Sequence, residues 1–203
     1  MMTITYFFSM NSPWTYMGSA RFHRMAKQYH AQVAVKPAPF AQVLAATGGV
    51  PQPQRSPQRR AYRLMELRRW SAHLGLPMNV EPKFYPTDDR PPSHLVIAAE
   101  LQGRDALLLS SEIGRAQWEL DQNIAEPDVL EAAAERAGLD YGQIMRAAPE
   151  GSELDTIWQA NAKEAIERGV FGAPAYVLAD GEWFWGQDRL DFLERALAAR
   201  AKG

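Results

Sequence analysis

The chain contains no cysteine. That excludes structural disulfides, thiolate metal sites and any thiol redox chemistry by the protein's own side chains. An excess of one charge is also missing. Lys and Arg number 22 against 24 Asp and Glu, a net charge of −2, which makes no electrostatic case for a nucleic-acid or membrane-surface partner. No stretch approaches the ~18 consecutive apolar residues of a membrane span. No basic segment followed by a long apolar run marks a signal peptide. Repeats and low-complexity segments are absent, and no metal site is expected. What is there is 203 residues with 46% apolar content, enough for one large domain or two small ones around a real core. The expectation is a soluble, cytoplasmic, globular protein.

The most informative stretch is Ser9-Met10-Asn11-Ser12-Pro13-Trp14-Thr15-Tyr16. It follows an apolar strand, Thr3 to Phe8, and opens a helix running to about Tyr29. Pro13 suits the first helical position, where a missing N–H costs nothing. Ser12 is then the N-cap, beside unpaired N–H groups and the positive end of the helix dipole. A strand feeding a helix in this way makes an anion site. Ser12 is therefore either a plain cap or a hydroxyl aimed at a bound anion.

Further along, Gln32 to Pro37 alternates like a second strand. The chain then turns irregular, with a loop over Thr47 to Pro53. A helix follows from about Pro57 to His73, stopped by Gly75. It carries Arg59, Arg60, Arg63, Arg68 and Arg69, with Arg55 just upstream. These arginines either form a solvated face or send one or two members into a cleft to hold a carboxylate. Pro77 to Pro92 reads as a long loop, in which Phe84 and Tyr85 either wall a pocket or pack on the core. From His94 to about Ala148 the pattern is helical, with Pro127 at a helix start and Gly138 as a stop. Ser152 is expected to cap the next helix, which Gly169 closes. Ala175 to Ala179 and Glu182 to Trp185 are strands joined at Asp180-Gly181. Gly186-Gln187-Asp188 leads into a final helix.

The fold class is therefore α/β, with one mixed sheet built from the two ends of the chain. Residues 1–40 and 169–203 form that domain, and 41–168 an inserted helical domain, with a cleft between them as the place for a ligand. The Ala173-Pro174 bond, in a glycine-containing loop before a strand, is a candidate for the cis form. In that form the Ala173 backbone could pair with an extended peptide. The alternative is an ordinary trans turn.

Three motifs in order carry a resemblance. Ser12-Pro13-Trp14-Thr15-Tyr16, Gly169-Val170-Phe171-Gly172-Ala173-Pro174 and Trp185-Gly186-Gln187-Asp188-Arg189-Leu190 are joined by a weaker match from Arg60 to Pro77. With these the chain resembles the 2-hydroxychromene-2-carboxylate isomerases and kappa-class glutathione transferases, a branch of the disulfide-oxidoreductase superfamily. The resemblance spans nearly the whole chain and implies a thioredoxin-like fold with a helical insertion. Redox relatives carry Cys-x-x-Cys where this chain has Ser12-Pro13-Trp14-Thr15. The resemblance therefore implies that glutathione is the thiol and Ser12 its partner.

A thiol of pKa ~8.5 is only a few per cent ionised at neutral pH. Lowering that pKa by ~2 units takes ~2.7 kcal/mol, within reach of one charge-assisted hydrogen bond plus a helix dipole. By resemblance Ser12 partners the sulfur, Pro13, Trp14 and Pro174 belong to the glutathione-binding set, and the Ala173 backbone before Pro174 pairs with the cysteinyl part. Gln187 and Asp188 hold the γ-glutamyl end, a role Asp188 can combine with capping. The family often has Asn after Gly in the loop following the second strand. Here that position is Gly49, which removes one side-chain contact. Thr15 stands where the family has Ser. The activity implied is glutathione-dependent isomerisation of a small-molecule aromatic 2-oxo acid or its cyclic hemiketal, through reversible thiolate addition, rotation and elimination, in a possible homodimer. The alternatives are a kappa-like transferase and a non-enzymatic peptide- or ligand-binding protein.

Overall fold

The computed structural model describes residues 2–201. The chain runs β1 (Thr3–Phe8), α1 (Pro13–Gln28), β2 (Gln32–Pro37), α2 (Phe40–Thr47), α3 (Pro57–Leu74), α4 (Arg90–Leu101), α5 (Ala106–Trp118), α6 (Pro127–Arg136), α7 (Tyr141–Arg146), α8 (Gly151–Glu167), β3 (Ala175–Leu178), β4 (Trp183–Trp185) and α9 (Leu190–Arg200). Short 3₁₀ turns occupy Gln52–Gln54 and Gln187–Arg189. The sheet order is β2-β1-β3-β4. β1 pairs in parallel with β2, Thr3 opposite Gln32, and antiparallel with β3, Tyr6 opposite Tyr176. β4 returns antiparallel to β3 with Ala175 opposite Trp185. This is the mixed sheet of a thioredoxin-like fold.

Both faces of the sheet are covered, which explains why β1 is buried along almost its whole length rather than on alternate residues. On one face Ile4, Tyr6 and Phe8 join Phe22 of α1, Leu178 of β3 and Leu193 of α9. Tyr6 stacks on Phe8 at 4.5 Å and on Tyr176 at 5.3 Å. The same apolar cluster continues into α4, α5 and α6 through Leu95, Ile113 and Leu130. On the other face Phe7, Ala175 and Val177 meet Val43 of α2 and Ala162 and Ala165 of α8. A side chain the size of Phe, buried on either face, contributes roughly 1.5–3 kcal/mol. The central strand is thus fixed from two sides, and with it the turn that follows at Ser9.

Several boundaries differ from the sequence reading. The irregular stretch after β2 contains α2, because Phe40 and Val43 are one helical turn apart and bury together against the sheet. α4 begins at Arg90, before the expected start at His94. Ser152 caps nothing. It lies inside α8, which starts at Gly151, and its carbonyl accepts from Thr156 Oγ1 at 2.9 Å. The final helix is preceded by a 3₁₀ turn, so α9 itself opens at Leu190. No described helix is long and apolar enough to cross a membrane.

Candidate active site

The chain leaves β1 at Phe8 and turns once before α1. Ser12 N–H donates to Ser9 O at 3.1 Å and closes that turn. Ser12 is the N-cap in extended conformation, and its Oγ accepts from Thr15 N–H at 3.2 Å. That bond uses one lone pair, so the hydroxyl proton remains available to an acceptor outside the helix. Ser12 is only partly buried and lines a cavity of about 470 Å³ together with Pro13, Trp14 and Ala173. Thr15 does not line it, and its Oγ1 is buried without a hydrogen-bond partner among the described residues.

The loop before β3 completes the sheet-side lining. The Ala173–Pro174 bond is cis. Among the described residues neither the N–H nor the C=O of Ala173 makes a backbone hydrogen bond, while Pro174 O accepts from Gly186 N–H at 2.9 Å. Ala173 therefore presents an open backbone edge to the cavity. A second cavity of about 370 Å³ adjoins the first and shares Trp14, Arg55, Ala173 and Trp185 with it. Gln187, Asp188 and Arg189 line this second space. The side chain of Gln187 is almost wholly buried. Its Oε1 accepts from Arg21 Nη1 at 3.2 Å, and its Nε2 lacks a partner. Asp188 is exposed and pairs with Arg189 at 3.3 Å. Gly186 has φ of 100°, a conformation that lets the chain turn sharply from β4 into this wall.

The structure thus brings Ser12, Pro13, Trp14 and Ala173 into one space and Trp14, Ala173, Gln187 and Asp188 into the next. Pro174 lies buried behind them. Gly49 is not at the cavity; it packs on Leu44 of α2, to whose carbonyl it donates at 2.8 Å. The amide that reaches the cavity from this loop is Gln52, whose Oε1 has no partner.

The helices supply the remaining wall. Of the arginines in and before α3, Arg55 and Arg63 face the cavity. Neither makes an ion pair among the described residues, unlike Arg68 and Arg69, which pair with Glu81 and Glu66. Arg63 lies 5.5 Å over the Tyr85 ring, and burial lowers the pKa of its guanidinium. Tyr85 packs on Trp118 and forms a wall, whereas Phe84 is exposed. Two residues that the sequence did not mark as site residues also line the cavity: Trp158 of α8, and Asp89, the residue before α4. Burial pushes the Asp89 carboxyl up to about 6, aided by neighbouring Asp88 and opposed by hydrogen bonds from its own backbone, Asn11 and Ser9. Its signal was Asp89-Arg90-Pro91-Pro92. Asp is a common N-cap, but here the second and third helical residues are prolines without an N–H to offer.

A strand-to-helix turn with a capping serine, facing a loop with a cis proline across one end of a mixed sheet, defines a thioredoxin-like protein without the redox cysteines. A model of the DSBA-like thioredoxin domain matches residues 3–198, and the chain belongs to that family. It is 28% identical to a 2-hydroxychromene-2-carboxylate isomerase of Pseudomonas putida, over 97% of this chain and 94% of the relative. It is 26% identical to a kappa 2 glutathione S-transferase of Caenorhabditis elegans, over 98% and 93%. A solved 2-hydroxychromene-2-carboxylate isomerase superposes with a TM-score of 0.80 at 24% identity, covering 99% of this chain and 97% of that one. These relatives are isomerases and kappa-class transferases, while a solved cytosolic disulfide reductase of Pseudomonas aeruginosa shares the fold with a TM-score of 0.72 at 19% identity, covering 98% of each chain.

Proposed function

We propose that the protein is a glutathione-dependent isomerase acting on an aromatic 2-oxo acid or its cyclic hemiketal, of the 2-hydroxychromene-2-carboxylate type. The observation that carries this reading is the Ser12 hydroxyl. It is held as an acceptor by Thr15 N–H and keeps its proton for a sulfur anion in the cavity. The fit to glutathione rests on the open backbone edge at Ala173 and on the second cavity at Asp188. When bound, glutathione supplies a thiolate that adds reversibly to a conjugated double bond, so that rotation can occur before the sulfur leaves.

The chain's own residues divide the remaining work. Ser12 donates to the sulfur and favours its anionic form, with the N-terminal end of α1 behind it. Ala173 holds the peptide by strand-like bonds, and Asp188 takes the terminal ammonium. Trp14, Tyr85 and Trp158 wall the space for an aromatic ring. Arg55 and Arg63, lacking carboxylates of their own, are suited to the substrate's. An acid-bearing aromatic substrate matches that combination better than a neutral electrophile does.

Calorimetry at millimolar glutathione, followed by an isomerisation assay with 2-hydroxychromene-2-carboxylate, tests the proposal. Binding together with turnover supports it. A stable glutathione conjugate in the mass spectrum would make the protein a transferase instead, and absence of binding would leave only a non-enzymatic role.

A further inference from the structure

Asp89 occupies the N-cap of α4, yet its side chain makes no capping bond. The positions that would donate to it are Pro91 and Pro92, which have no N–H. The carboxyl turns instead toward the β1–α1 turn, where Ser9 Oγ donates to Asp89 Oδ2 at 3.4 Å. Ser9 also accepts from Ser12 N–H through its carbonyl, so it stands between the two residues. The segment carrying Asp89 is fixed against the same turn. Asn11 Nδ2 donates to Thr87 O at 2.7 Å, Thr87 N–H donates to Asn11 Oδ1 at 3.0 Å, and the buried Gln117 donates to Asn11 Oδ1 at 3.0 Å.

No cation pairs with Asp89 among the described residues. The adjacent Arg90 turns away to Asp155 and the face of Trp158. The charged and titratable groups around Asp89 are Asp88 beside it, Arg55, Arg63 and Tyr85 across the cavity, and the His94–Asp155 pair one turn further along α4.

We propose that Asp89 is the internal acceptor of the thiol proton when glutathione ionises at Ser12, and the donor that returns it on release. This rests on the reading of Ser12 as the sulfur site. The step is balanced within the cavity. The S–H bond breaks, an O–H bond forms on the Asp89 carboxyl, and the reverse transfer restores both. The net charge of the site does not change, which matters because a second uncompensated anion in a partly dry space is costly. The two groups are also matched. Ser12 brings the thiol down while burial brings the carboxyl up to about 6, so the proton moves between sites of similar affinity.

Calorimetry of glutathione binding at pH 7, in buffers of different ionisation enthalpy, counts the protons released, and the ultraviolet absorbance of the thiolate counts the sulfur ionised. The wild-type protein should form thiolate with almost no net proton release. Asp89→Asn should release about one proton per thiolate formed, with glutathione affinity within about threefold. Equal release per thiolate in the two proteins overturns the proposal. So does a folded Asp89→Asn variant that no longer binds glutathione, since Asp89 would then be only a wall. If that variant does not fold, Ser9→Ala serves. Removing a donor to the carboxylate should raise the pH at which the complex gives up its proton, and no movement overturns the proposal. Failure of the wild-type protein to bind glutathione at all is a different result: it removes the Ser12 reading and this inference with it.

Discussion

The two walls of the cavity are built in opposite ways. The sheet-side wall comes from turns at strand ends: Ser12 after β1, Ala173 before β3, and Gly186 to Asp188 after β4. Each of these positions is set by neighbours within a few residues, through a cap, a cis proline loop or a glycine of positive φ. The helix-side wall takes Arg55, Arg63, Tyr85, Asp89 and Trp158 from segments more than 100 residues apart in total span. No local rule aims any of them; packing of α3, α4 and α8 does. Under the proposed function, the difference would separate holding a peptide thiol, which needs backbone geometry, from choosing what it reacts with, which needs side chains that can be exchanged singly.

The strongest test of that division is Ser12→Ala, on the sheet side. Loss of one charge-assisted hydrogen bond costs about 1.5–3 kcal/mol, or ~10- to 150-fold in turnover. Glutathione binding should change little, because in the proposed complex Ser12 would touch only the sulfur, and the pKa of the bound thiol should rise. Full activity with an unshifted thiol would reduce Ser12 to a helix cap.

Gly18→Ala tests whether the sheet-side wall depends on close packing behind it. A Cβ on Gly18 would stand 2.9 Å from Gln187 Cβ and 2.9 Å from the Tyr176 hydroxyl. Overpacking costs about 1–3 kcal/mol, against ~1 kcal/mol gained in helix propensity. A net loss of about 1 kcal/mol should lower Tm by several degrees and weaken glutathione binding through Asp188. An unchanged melting curve and affinity would mean that the turn yields freely.

On the helix side, Asp89 should cost stability at neutral pH. Its folded pKa lies above the unfolded value of 3.8. The folded protein therefore binds more protons than the unfolded chain between pH ~4 and ~6, and stability falls as pH rises through that window. The full shift corresponds to about 3 kcal/mol, and partial exposure reduces that to roughly 1–2 kcal/mol. Asp89→Asn should accordingly melt higher than wild type at pH 7 and lack this slope. A variant with equal or lower Tm at that pH would contradict the assignment.

An effect as small as that of Gly18→Ala is expected for Arg63→Lys. The charge stays, but the planar fork and its stacking on Tyr85 are lost. About 1 kcal/mol, or roughly fivefold in KM for a carboxylate-bearing substrate, is the expected cost, with glutathione affinity unchanged. A change confined to glutathione affinity would move Arg63 to the other wall.

The strands, the Pro13 helix start and the Asp180-Gly181 hairpin were all legible, because alternation, proline at a first helical position and tight-turn chemistry act over a few residues. α2 was not, since the Gly48-Gly49 loop signal masked a helix held by burial of Phe40 and Val43. Ser152 misled for a related reason: a good capping residue is no cap when the helix starts before it. Among six arginines, nothing local separated Arg55 and Arg63 from the paired ones.

The sequence by itself determined that the protein has no thiol of its own, that a serine stands at the start of the first helix, and that a proline loop precedes the third strand. These follow from residue identity and short-range backbone chemistry. Only the tertiary structure decided that Ser12 and Ala173 line one cavity, that Arg55 and Arg63 border it without carboxylates of their own, and that the Asp89 side chain leaves its helix for that cavity. Each of those depends on which distant segments bury against one another. Burial free energy is non-directional and summed over the whole core, so no single stretch of sequence records it.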